Sequence, residues 1–167
     1  MRHFGWGRKG PVEPIAALAQ WLGSQGGGGR PAADAQEWAA AIESRYGLRL
    51  PDDFCGYLTD APLAEEVADE AGTSWWPLAR IRSVPEEYGR EIAHPAIAAE
   101  AGAYLFFADY LFWCWAWAVC CSDGPNRGRV AFIGGPDDFV AGSFAEFAER
   151  YLRDPHGMAN AVPGRRE

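Results

Sequence analysis

The 167-residue sequence predicts an α+β domain in which helices pack on a sheet, and three observations carry that prediction. The stretch "YLFFADYLFWCWAWAVCC", Tyr104 to Cys121, alternates large and small side chains with period two, as β-strands do. The segment from Ser143 to Leu152 carries apolar residues at i, i+3, i+4, i+7 and i+8 behind a capping box, as an amphipathic helix does. Further short helical patterns precede the aromatic stretch and supply helices to cover the sheet.

Taken in order, a first helix is expected over Pro14 to Leu22, where Ile15, Leu18 and Leu22 share a face and Gly23 supplies a stop. "GSQGGGGRPAA" then reads as a flexible linker, because it lacks the Lys-Ser/Thr ending of a phosphate loop. Asp34 with Glu37 makes a capping box for a second helix, whose stripe is Trp38, Ala41, Ile42 and Tyr46 and whose end is Gly47. Pro51 opens a third, with Phe54, Tyr57 and Leu58 on one face. "SWWPLARIRSV" is strand-like, with Pro77 at an edge or bulge. "PEEYGREI" is a helical turn, and "RVAFIGG" is a strand after the loop "SDGPNRG".

Within the aromatic stretch, Tyr104 to Ala108 forms one strand and the chain turns or bulges near Asp109 and Tyr110. In the next strand Trp113, Trp115, Trp117 and Val119 face one side, and Cys114, Ala116, Ala118 and Cys120 the other. Large rings then fill the space beneath helices, while the small face leaves room for close approach by another layer or for a shallow exposed surface. A membrane span fits poorly: aromatics run throughout rather than in end belts, Asp109 would lie in the apolar slab, and no basic cluster flanks it. A metal site fits no better, since Cys114, Cys120 and Cys121 form no CxxC pair and His3, His94 and His156 lie far off in sequence.

Net charge is −8, from 15 basic and 23 acidic side chains, which argues against a general nucleic-acid binder and suits either solubility or a basic partner. The start, "MRHFGWGRKG", is followed by Glu13 and two prolines rather than an apolar secretion segment, so a cytoplasmic protein with four reduced cysteines is expected. Nucleophile-elbow, zinc-protease and dinucleotide fingerprints are missing, and no cofactor is expected. Asp109, alone among apolar residues, reads as a general base, a ligand-binding group or a turn residue accepting from backbone N–H groups; the turn role is favoured. Glu65, Glu66, Asp69 and Glu70 would be displayed together by a helix, and Asp137 and Asp138 add a second acidic pair. Trp75 and Trp76 beside that run are candidate aromatic anchors.

"EWAAAIESRYGLRLPDDFCGYL", "WWPLARIRSV", "YLFFADYLFWCWAWAV", "GRVAFIGG" and "VAGSFAEFAERYL" together resemble the SUKH superfamily. Its members include many bacterial immunity proteins of toxin systems and a fungal regulator of cell-wall synthesis. The likeness runs from about Asp34 to Asp154: a helix ending in a Gly turn before Leu50-Pro51, a Phe-rich strand ending at Ala108-Asp109, and a helix after Ser143-Phe144. It implies a mixed, largely antiparallel sheet with helices packed on it, no catalysis, and neutralisation of a cognate toxin by binding. Residues 1–33 would then be an N-terminal helix and linker, 34–154 the SUKH-like domain and 155–167 a flexible tail. The expected partner is a basic toxin domain, met through Glu65, Glu66, Asp69, Glu70, Trp75, Trp76, Asp109, Asp137 and Asp138. An enzyme or small-molecule-binding domain with a pocket around Asp109, or a regulatory scaffold, are the alternatives.

Overall fold

The computed structural model describes residues 12–25 and 34–165. His3 and most of the glycine-rich linker lie outside these. Seven strands form one sheet, β1 (Val67–Ala68), β2 (Thr73–Trp75), β3 (Arg82–Ser83), β4 (Tyr104–Tyr110), β5 (Trp115–Cys120), β6 (Val130–Ile133) and β7 (Asp138–Ala141), ordered β1-β2-β4-β5-β6-β7. Strand β3 lies end to end with β2 along the same edge of β4, pairing Leu105 and Phe106 while β2 pairs Ala108 to Tyr110. The fold is α+β as expected, and every described pairing is antiparallel, so the sheet is not mixed.

Strand β4 is the centre, buried along its whole length. Its ladder with β5 pairs Phe106 with Ala118 and then Ala108 with Trp117, leaving Phe107 as an extra residue. Two residues opposing one is a β-bulge, and it inverts the facing of everything after it. Phe107 meets Phe54, Phe144 and Phe147 on the helical side, whereas Phe106 meets Trp76 and Trp113 on the other. Asp109, opposite Ala116, is thereby turned away from the helices.

The helical layer consists of α1 (Val12–Ser24), α2 (Ala35–Tyr46), α3 (Asp52–Asp60), α6 (Phe144–Arg153) and α7 (Pro155–Ala159), with α1 and α3 both packed on α6. Ile15, Leu18 and Leu22 are buried as their spacing predicts, and Trp21 packs edge-on to Trp75 and Tyr151. The first helix is therefore part of the domain rather than an appendage. In α2 the buried stripe is Ala35, Ala39 and Ile42, while Trp38 is 40 % exposed. With small Ala35 and Ala39 on its buried face, the helix is rotated from the expected one. Asp34 makes no side-chain cap; Gly47, left-handed at φ 61°, closes the other end through its N–H on the Glu43 carbonyl. On α6, Ser143 Oγ accepts the Glu146 N–H, but the Glu146 carboxylate reaches Gly142 N instead of Ser143 N.

The opposite face is covered by residues 76–103, which include α4 (Val84–Glu87) and α5 (Pro95–Ala98) and bury Trp76, Val84, Ile92 and Ile97. Ala116, Ala118, Cys120 and Ala131 line this face and are fully buried, so the small side of the stretch does admit a second layer. Trp117 lies under α6 against Phe147. Residues 155–165 are pinned, not a loose tail: Trp115 Nε1 donates to the Ala159 carbonyl at 3.1 Å and Tyr110 OH to Asn160 Oδ1 at 3.0 Å. Among the described residues no helix is long and apolar enough to cross a membrane, and 103–121 is a hairpin.

Gly134 tests the close packing at the start of β5. Its φ is +133° and an added Cβ would stand 2.8 Å from Trp115 Cα, a backbone atom. Gly134→Ala is expected to cost at least about 2 kcal/mol in urea denaturation. Exposed Gly89, with open space around its Cα, should accept Ala within about 0.5 kcal/mol. Equal losses at the two positions would contradict the packing described.

Candidate partner-binding site

Three turns meet at one end of the sheet, and each is organised by a buried aspartate. In the β1–β2 turn, Asp69 Oδ1 accepts from Ala71 N at 2.9 Å and Thr73 N at 3.0 Å, and Oδ2 accepts from Trp75 Nε1 at 3.0 Å and from Tyr151 OH. Burial, reinforced by that carboxylate, pushes the Tyr151 phenol well above its ordinary value. In the β6–β7 turn, Asp137 accepts from Gly134 N and Gly135 N and, through its other oxygen, from Ala93 N at 2.7 Å. Asp109 governs the third.

The Asp109 carboxylate is 3 % exposed. Its Oδ1 accepts from Trp76 Nε1 at 2.6 Å, and Arg80 Nη1 stands 3.6 Å away. Its Oδ2 accepts from Trp113 N at 2.9 Å. The Arg80 guanidinium lies 3.9 Å over the Trp76 ring and also meets Glu66 at 3.0 Å and Glu87 at 3.8 Å. Glu87 in turn accepts from Trp113 Nε1 at 3.2 Å, and Tyr88 stacks on the Trp113 ring. A charge so enclosed is tolerable because every oxygen has a donor. The turn role expected for Asp109 is the one observed, and its carboxylate oxygens are both engaged.

The turn it holds is unusual. Leu111, Phe112 and Trp113 have φ of 42°, 53° and 69°, three successive non-glycine residues in the left-handed region. Each costs about 1 kcal/mol or more. The single left-handed turn is closed by Cys114 N donating to the Tyr110 carbonyl at 2.9 Å, and Leu111 N donates to Gly72 O at 3.0 Å. The outcome is a tip whose Phe112 is fully exposed and whose Leu111 is 47 % exposed. Every other phenylalanine of the described residues is buried or half-buried.

Several expected anchors are placed otherwise. Trp75 and Trp76 are 0 % and 1 % exposed, one under the helices and one against Phe106, so neither can meet a partner. No helix displays Glu65, Glu66, Asp69 and Glu70: Val67 pairs with Trp75 as β1, which forces extended chain, and Asp69 is turned inward. Glu65, Glu66, Glu70 and Asp138 do face solvent, whereas Asp137 does not. Arg80, Glu87, Leu111 and Phe112 carry no expectation from the sequence, and Trp113, expected in a strand beside Trp115 and Trp117, instead sits in the turn and packs on Phe106 and Tyr88, on the face away from the helices. Their signal was two strands joined by "YLFWC" without glycine or asparagine, which demands a strained turn.

Two other features complete the chemistry. Cys114 is exposed in the tip while Cys120 and Cys121 are buried, and burial pushes the Cys121 thiol far above its ordinary range. An apolar cleft of about 360 Å³ lies between α1, α3 and α6, lined by Ile15, Gly56 and Ala145 with Asp52, Asp53 and Asp60. It belongs to the helical layer, away from the Asp109 carboxylate.

Asp109→Asn is expected to destabilise the protein by about 2 kcal/mol or more, since a charged acceptor of two N–H groups facing Arg80 is lost. Hydrogen exchange at Trp113 N should accelerate accordingly. Glu70→Gln, on an exposed residue, should stay within about 0.5 kcal/mol. Unchanged Trp113 protection in Asp109→Asn would contradict the assigned role. No family model matches the chain, and neither a curated protein nor a solved structure is significantly similar to it.

Proposed function

We propose that this chain is a non-catalytic, cytoplasmic protein-binding domain, an immunity protein that neutralises a basic toxin domain by occluding it. The carrying observation is Phe112, a fully exposed aromatic on a tightly held turn, whereas every other phenylalanine among the described residues is at least half-buried. Aromatic side chains on rigid elements are the residues that anchor interfaces. The exposed carboxylates Glu65, Glu66, Glu70 and Asp138 and the net charge of −8 support a cationic partner over nucleic acid. The resemblance to the SUKH superfamily points the same way. A small-molecule-binding domain is the second reading, favoured by the apolar cleft beside Ile15 rather than by any opening at Asp109.

Co-expression with the product of the adjacent gene tests the proposal. A growth-arresting product should be silenced by this chain and co-purify with it, with association slowing as salt rises. Failure of the two to bind, together with a thermal shift from a small-molecule library that a bulky substitution at Gly56 removes, would replace this reading with the second.

A further inference from the structure

We infer that the β4–β5 tip is a preformed wedge: Leu111 and Phe112 enter an apolar socket on a protein partner, and lysine or arginine side chains of that partner border the socket. The inference rests on the protein-binding reading above and names its surface. Three observations converge on it. The large apolar side chains most exposed at the tip are two neighbours, Leu111 and Phe112, with Trp113 half-buried behind them. The backbone presenting them is held in three successive left-handed conformations by Asp109, Gly72 and Tyr110, so the tip is ordered before it meets anything. An observed backbone outlier maintained at a solvent-facing point is the kind of strain that function retains, and an ordered anchor loses little freedom on binding.

Charge selects the partner. Glu70 stands in the turn whose Gly72 touches Leu111, and Glu87 bonds the indole of Trp113. With Glu66 these three carboxylates outnumber Arg80 and Arg82, which already face Glu87. An acidic border repels a second copy of this acidic chain and anionic lipid, and attracts a cationic rim. Arg80 and Asp109 act here as positioning residues, fixing Trp113 and through it the wedge.

The test places a photo-crosslinking benzoylphenylalanine at position 112 of the full chain in its native cells, with Glu149 on α6 as the exposed comparison site. The expected result is an adduct at 112, absent at 149, mapped to an apolar segment flanked by lysine or arginine. With the purified partner, Phe112→Ala should raise Kd by about 30-fold. Phe112→Gly should do the same without lowering the urea midpoint, because glycine relieves the left-handed backbone. Glu70→Lys should slow association and flatten its salt dependence.

A partner that crosslinks elsewhere, or binds Phe112→Ala within twofold of the parent, overturns the wedge while leaving the protein-binding reading intact. Adducts only with a second copy, or pelleting with phosphatidylglycerol vesicles that Phe112→Ala abolishes, overturn it in favour of those occupants. Finding no protein partner at all removes both readings together.

Discussion

The single extra residue in β4 is the constraint on which the rest depends. Strict alternation from Leu105 would aim Asp109 at the helices, among Phe107, Phe144 and Phe147, where no donor of the Trp76–Arg80 layer reaches it. The bulge at Phe107 restores a different phase: both Phe107 and Ala108 serve the helical side, and Asp109 emerges opposite Ala116 on the other. The carboxylate then finds Trp76, Arg80 and the Trp113 amide. One core thus has two sides of different character, a dense aromatic cluster under the helices and a wired polar knot under residues 76–103.

Acidity in this protein divides into two classes with different work. Asp69, Asp109 and Asp137 face inward, and each takes N–H groups from a turn that would otherwise leave them without partners. Their negative charge is a by-product of needing an acceptor that serves several donors at once. Glu65, Glu66 and Glu70 face outward and set the field that an approaching molecule meets. Composition counts the two classes alike, although just one of them faces solvent.

Legibility followed the same line. The amphipathic patterns of α1, α3 and α6 and the strand "VAFI" were readable because periodicity reports one-sided burial directly. The aromatic stretch reads as two strands with one bulky and one small face, which holds from Trp115 to Cys120, whereas Trp113 and Cys114 lie in the turn. The backbone-accepting role expected for the Asp109 carboxylate is the one its bond to Trp113 N shows. The turn itself was placed two residues early, because positive φ at Leu111, Phe112 and Trp113 violates local preference and is imposed by contacts 33 residues away in the chain. Asp69 was misread for a related reason: an i, i+1, i+4, i+5 acidic spacing fits a helix, but the pairing of Val67 with Trp75 overrides it. The Ser83–Glu86 cap, by contrast, was written plainly in "SVPE" and went unused.

The left-handed turn also bears on the order in which the chain assembles. A hairpin with glycine or asparagine at its bend can close by itself and seed a sheet within microseconds. Here the bend is unfavourable until Arg80 and Trp76, the latter 33 residues away, have arrived to hold Asp109. Strands β4 and β5 are adjacent in sequence yet cannot zip from their own loop. Their association has to begin at the far ends, around Leu105 and Val119 beneath the helical layer, and run toward the tip. The exposed tip is thus a late product of the collapsed core rather than its seed.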